Sequence, residues 1–311
     1  MGKDSNRLWE NADNYNDWEL RRYRFTVEMR EAYFHYLRIR PGNKVLDGGC
    51  GTGVFTRYIA RGLQDGEIVG FDLSRKLVDY GNDKIRDEGL SEVAQLVVED
   101  GFNLSFEDGS FDAVTSYTYL GVLSDPAAGL KECIRVCRPG GAVSAVMVSA
   151  GMPAVRWKGE YPFDRNDRLN ELYERQDAIS KAKINTTSSL LQSEEWHAFR
   201  YPKMFEECGL RDISIYPVAH GFSYDDRRWL PELRRYQIDV GLKREIELIS
   251  ERSKMIEFND QYGFSQKDFG ELIELLKAKR RYLLENIEAD ASWEWFAGLG
   301  LVVVGLKPAD K

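Results

Sequence analysis

The segment Val45-Leu46-Asp47-Gly48-Gly49-Cys50-Gly51-Thr52-Gly53 constrains the fold more than any other part of this 311-residue chain. Two apolar residues suited to a buried strand lead into an acid, and four glycines follow within six positions. Glycine reaches positive φ without strain and lets a backbone approach a ligand closely. A strand, a glycine-rich turn and a helical stretch from Val54 to Gly62 make the first unit of a nucleotide-binding α/β fold. The spacing departs from the dinucleotide fingerprint, because counting G-x-G-x-x-G from Gly49 brings Val54 to the last position. No Walker lysine follows the loop, so the pattern holds no cradle for a pyrophosphate.

Downstream the alternation of strand and helix is regular. A helix over about 22–37 ends at the turn Pro41-Gly42-Asn43, and strands are expected at 44–47, 67–72, 94–98, 111–116 and 142–149. Helices fall at 54–61, 75–88 (with Ser74 as N-cap) and 127–137, the last closed by an Arg138-Pro139-Gly140-Gly141 turn. Such alternation predicts a Rossmann-like, seven-stranded, mostly parallel sheet with helices on both faces. The rhythm breaks over 151–200, resumes with a helix at 202–208 and a strand at 212–218, and breaks again over 221–292. That second stretch reads as two long helices, with a capping box at Ser265-x-x-Asp268 and an apolar stripe of Phe269, Leu272, Leu276, Leu283 and Ile287. The last strand is expected at 299–306. The implied organisation is a helical cap segment (1–40), a core (41–150), an insertion (151–200), a core helix and strand (201–220), a helical insertion (221–292) and a closing strand with tail (293–311).

A net charge of −8 argues against a dedicated nucleic-acid binder. The basic run Lys277-Ala278-Lys279-Arg280-Arg281 reads as a solvated helix face, because acids flank it. No apolar stretch is long enough to span a bilayer, and residues 1–6 lack a signal core. Four cysteines without a C-x-x-C pair suggest a reducing compartment, no structural zinc and no other metal site; Cys133 and Cys137 read as packing residues on one helix face. The expectation is a cytoplasmic protein.

Strand two ends at Asp72, followed by Leu73 and Ser74. An acid at a strand's carboxyl end, 20–25 residues beyond the glycine loop, is placed to accept hydrogen bonds from two ribose hydroxyls. Strand three ends similarly at Asp100-Gly101-Phe102.

Asp47-x-Gly49-x-Gly51-x-Gly53 resembles motif I of the class I S-adenosylmethionine (SAM) methyltransferases. Two later blocks resemble the same family: Asp100…Ser105-Phe106-x-x-x-Ser110-Phe111-Asp112-x-Val114, and Ile134-Arg135-Val136-x-Arg138-Pro139-Gly140-Gly141. Residues 43–150 are similar in pattern to the small-molecule type, close to the ubiquinone/menaquinone-biosynthesis methyltransferases. The resemblance implies SAM as cofactor, with Asp47, Gly48, Gly49, Cys50, Gly51 and Gly53 around its methionine end. It implies Asp72 and Leu73 at the ribose, Asp100, Gly101 and Phe102 at the adenine, and Ser116 and Tyr117 beside the methionine. Tyr15 and Tyr23 are expected to reach SAM from the N-terminal segment.

Relatives often carry histidines after strand four, but this chain reads Tyr119-Leu120-Gly121-Val122-Leu123 there, so no base carries over. His197 and His220 are the weak candidates for a general base, and the catalytic residue is otherwise unassigned. Aromatic residues crowd the insertions, which suits either a lid over an aromatic or apolar small-molecule acceptor or a helical core and homodimer interface. The rival functions are a nicotinamide-dependent oxidoreductase and a non-catalytic SAM-binding scaffold.

Overall fold

Apolar runs bounded by acids and glycines become the central strands of a single sheet. The computed structural model describes residues 19, 25–148, 155–157, 165–186, 200–223, 226–227, 231–254, 263–288 and 295–309. Helix α1 (Val27–Tyr36) is capped by Thr26, whose hydroxyl accepts from the Met29 amide, and is followed by β1 (Lys44–Gly48), α2 (Val54–Ala60), β2 (Glu67–Asp72), α3 (Arg75–Asp87), β3 (Ala94–Val98) and β4 (Phe111–Ser116). After a short 3-10 turn, Leu120–Val122, come α4 (Pro126–Val136), β5 (Cys137–Val148), β6 (Val155–Trp157), α5 (Asn166–Thr186), α6 (Tyr201–Glu207) and β7 (Arg211–Ser223). Helices α7 (Pro231–Ser253) and α8 (Gln266–Glu285) precede β8 (Trp295–Leu306).

The chain divides into two units. The first comprises Met1–Pro153, Glu195–His220 and Gly298–Lys311, and the second Ala154–Glu194 and Gly221–Ala297. In the first, the strands run in the order β3-β2-β1-β4-β5-β8, with β7 also paired to β8. The pairs β1–β2, β1–β4, β2–β3 and β4–β5 are parallel, and β5–β8 is antiparallel. The chain therefore reverses its direction of travel across the sheet between β1 and β4. Open α/β sheets bind ligands at such a switch, outside the carboxyl ends of the strands.

Alternate residues of each strand face opposite sides, and both sides are covered. Leu46, Phe71, Val114, Leu130 and Phe205 pack on one side, and Val45, Phe55, Ile59, Ile68 and Val302 on the other. In the second unit, α5, α7 and α8 share a core of Leu169, Leu172, Ile238, Leu242, Phe269, Leu272 and Leu276, and β6 pairs with Trp295–Ala297. The capping box of Ser265 and Asp268 opens α8.

Several expectations need correction. Arg138–Gly141 is not a turn between helix and strand but part of β5, where pairing jumps from Phe111↔Cys137 to Ala113↔Ala142. Gly140, at φ 73°, gives that bulge its left-handed residue. Cys137 belongs to β5 rather than α4, although both it and Cys133 are buried as packing residues. Helix α1 begins at Val27 rather than near 22; Val27 is exposed, whereas Tyr33 and, just past the helix, Leu37 are buried. The first insertion contains the helix α5, and β7 extends through Ser223, so His220 lies inside a strand. Lys279 is only 2% exposed and takes a place in the stripe between Leu276 and Leu283; the basic run is not wholly solvated. Among the described residues no helix is long and apolar enough to cross a membrane.

Candidate functional site

The turn after β1 adopts the conformation its glycines permit: Gly49, Gly51 and Gly53 have φ of 64°, 57° and 72°. The loop is tied to β2 at two points. The Cys50 amide donates to the Phe71 carbonyl, and the Gly51 amide donates to Asp72 Oδ2, both at 2.9 Å. Asp72 Oδ1 accepts from the Ser74 amide at 2.9 Å, so the carboxylate orders the start of α3 while the Ser74 hydroxyl makes no capping bond. Burial raises the Asp72 pKa, and the backbone amides oppose that rise. A carboxylate offers about four lone-pair sites, which leaves Asp72 capacity for further donors.

Asp47 lies beneath the loop and is almost fully buried. Thr56 Oγ1 donates to its Oδ2 at 2.6 Å, while Oδ1 has no partner among the described residues. Burial pushes its pKa up to about 7, with Thr56 lowering it and Asp72 adding to the rise. Behind the loop, the buried Arg57 guanidinium reaches the Gly53 carbonyl at 3.3 Å, Glu88 at 2.8 Å and Glu19 at 2.7 Å. Thr56 and Arg57 escape sequence reasoning because a helix from Val54 onward reads simply as core.

At the end of β3, Asp100 is exposed and turns the chain, its Oδ1 accepting from the Phe102 amide at 3.0 Å and its carbonyl from the Asn103 amide at 2.9 Å. Gly48 and Cys50 are buried, Gly101 and Phe102 are half-buried, and Leu73 is exposed. Ser116 is buried at the end of β4. Tyr117 turns to the α2 side, its ring 4.9 Å from that of Phe25 and 5.2 Å from that of Phe55. Thr118, at φ 59°, reverses the direction of the next side chain, so Tyr119 enters the opposite core. The structure thus brings Asp47, the glycine loop, Asp72, Leu73, Asp100–Phe102, Ser116 and Tyr117 to the carboxyl ends of β1 to β4. Tyr15, Tyr23 and His197 lie outside the described residues, as does the side chain of His220. Of the insertion aromatics, Tyr173 and Tyr201 are buried core residues of their units. Among the described residues no group of His, Cys, Asp and Glu is placed to hold a metal ion.

This loop suits a ligand that presses against backbone. A Cβ on Gly49 would collide with the Tyr119 ring, so this position needs glycine, and two acids stand at the neighbouring strand ends, as an adenosine bearing hydroxyls and an amino group requires. Residues 46–145 match the family described as "Methyltransferase domain". The chain is 29% identical over 222 residues to a demethylmenaquinone methyltransferase of Bacillus pumilus, covering 69% of this chain and 90% of the relative. It is 26% identical over 207 residues to a ubiquinone/menaquinone biosynthesis C-methyltransferase UbiE of Legionella pneumophila, covering 65% and 79%. The solved structure of the YcgJ protein of Bacillus subtilis aligns with a TM-score of 0.50 at 16% identity, over 92% of this chain and all of that one, and shares the fold.

Residues 46–145 therefore carry a methyltransferase domain, of the SAM-dependent class. Within that class it resembles the ubiquinone/menaquinone-biosynthesis group. Neither the oxidoreductase nor the non-catalytic alternative stands beside these matches.

Proposed function

We propose that the site at the carboxyl ends of β1 to β4 binds SAM and that the acceptor is a small aromatic or apolar molecule of the hydroquinone class. The carrying observation is the left-handed glycine loop fastened to Asp72 through the Gly51 amide. SAM, when bound, supplies a methyl group already activated by its sulfonium. What remains for the protein is to align the acceptor, keep water out and take the proton that a quinol gives up on methylation. In this reading Gly49 and Gly51 receive the methionine end, with Gly48, Cys50 and Gly53 shaping the loop. Asp72 holds the ribose, Asp100 faces the adenine amino group, and Leu73 and Phe102 cover the ring. Ser116 and Tyr117 close the methionine end from β4. Asp47 supports the loop from below through Thr56.

The acceptor class draws its support from relatives named for demethylmenaquinone and for ubiquinone and menaquinone biosynthesis. The same proposal includes a cytoplasmic setting, which suits the four free cysteines. Incubation with methyl-labelled SAM and a panel of demethylated naphthoquinols, benzoquinols, catechols and primary amines tests it. Label in a quinol product supports the reading, whereas label only in amines would redirect it.

A further inference from the structure

Glu19, from the chain ahead of α1, reaches the buried guanidinium of Arg57 on α2. Both of its carboxylate oxygens accept from Nη2, at 2.7 and 2.8 Å. The same guanidinium donates to Glu88 at 2.8 Å and, through Nε, to the Gly53 carbonyl at 3.3 Å. Arg57 is only 2% exposed. A buried ion pair returns little net stability once its desolvation is counted, yet losing one partner leaves a buried charge poorly compensated. The main effect of such a pair is to fix positions.

The position fixed here is the end of the glycine loop. Gly53 is the left-handed N-cap of α2, and its amide closes the turn by donating to the Cys50 carbonyl at 2.9 Å. Its own carbonyl accepts the Arg57 backbone amide at 2.8 Å as well as Nε. The next residue of α2 makes a second attachment. The Tyr58 hydroxyl donates to the Thr26 carbonyl at 2.8 Å, and the Tyr58 ring lies 5.1 Å from that of Phe25. The Phe25 ring also packs 5.3 Å from Phe55 and 4.9 Å from Tyr117. Adjacent residues of α2 therefore hold the chain ahead of α1 at two points, one leading to the glycine loop and the other to the end of β4.

We infer that this part of the chain braces the cofactor site. Glu19, acting through Arg57 on Gly53, and Phe25, acting on Tyr117, are positioning residues for the methionine end of SAM. The role rests on the SAM reading of the site, and it requires neither side chain to touch the cofactor.

Calorimetric titration of the full chain with S-adenosylhomocysteine, paired with thermal unfolding of the ligand-free protein, tests the brace. Glu19→Gln removes one charge opposite Arg57 and leaves Glu88 in place. Glu288→Gln is the matched control, because Glu288 pairs with Arg234, a buried arginine of α7 in the second unit. Both substitutions are expected to lower the ligand-free Tm. Glu19→Gln is also expected to weaken binding about three- to tenfold, the usual reach of coupling through packed and hydrogen-bonded neighbours. Phe25→Leu, which spares the ion pair, should weaken binding as well, whereas Glu288→Gln should bind as wild type does. Wild-type affinity in Glu19→Gln or in Phe25→Leu would overturn the brace. An equal loss in Glu288→Gln would overturn it too, because affinity would then simply follow stability. If wild type itself bound no S-adenosylhomocysteine, the reading of the site would fail first and the brace with it.

Discussion

Both units bury polar side chains, but they use them differently. In the first, Asp47, Thr52, Thr56, Arg57, Thr115 and Ser116 gather at the carboxyl ends of the central strands and the adjoining turn and helix. In the second, Asn166, Gln176, Arg234 and Lys279 are spread along three helices. Arg234, for example, ties α7 to the Ile287 carbonyl at 3.1 Å. Concentrated burial of polar groups at one sheet edge costs stability and is tolerated where a ligand is to be held. Dispersed burial joins helices to one another. Perturbing the first unit should therefore change ligand binding and pH response, and perturbing the second should change stability alone.

The largest effect is expected at Asp47. Unfolded, the side chain ionises near its ordinary 3.8; folded, it keeps its proton to about 7. The folded chain thus holds an extra proton between those values, and this contribution is lost as pH rises through the window. Relative to Asp47→Asn, wild type should lose about 3–4 kcal/mol of stability from pH 4 to pH 7, as three pKa units imply. Urea unfolding of both proteins across that range checks it, and parallel pH profiles would break the claim that Asp47 is buried protonated.

Gly101→Ala should come next, at about 1–3 kcal/mol, because the new methyl group meets the packed Tyr119 hydroxyl. Combining it with Tyr119→Leu should recover part of the loss, since contacting residues are not additive. Strict additivity in the double-mutant cycle would mean that the two positions do not contact each other. Smallest is Ser265→Ala, which removes the α8 capping box at a cost of about 1 kcal/mol. It should leave affinity for S-adenosylhomocysteine unchanged. A change in affinity would erase the proposed distinction between the units.

Much of the first unit was legible before its structure. Strands β1 to β4 are short apolar runs bounded by acids, glycines or prolines, and such runs have few alternatives once both faces of a sheet are covered. The placement of the candidate acids was legible for the same reason, since Asp72 and Asp100 sit where their strands stop. The packing of Tyr119 was not legible, because it depends on Gly49 and Gly101 making room for its ring and hydroxyl from separate segments. Helix α5 escaped because Leu169, Leu172 and Tyr173 are sparse among charges. Lys279 misled because composition reads a basic run as solvated, while position on the helix decides which member faces inward.

The central claim is that the glycine loop held by Asp72 is the SAM site. Calorimetric titration of wild type and Asp72→Ala with S-adenosylhomocysteine tests it most directly. The account predicts saturable one-to-one binding to wild type and a loss of at least about tenfold in the variant, which forfeits both the loop tether and the ribose acceptor. Equal binding by a folded Asp72→Ala would contradict it.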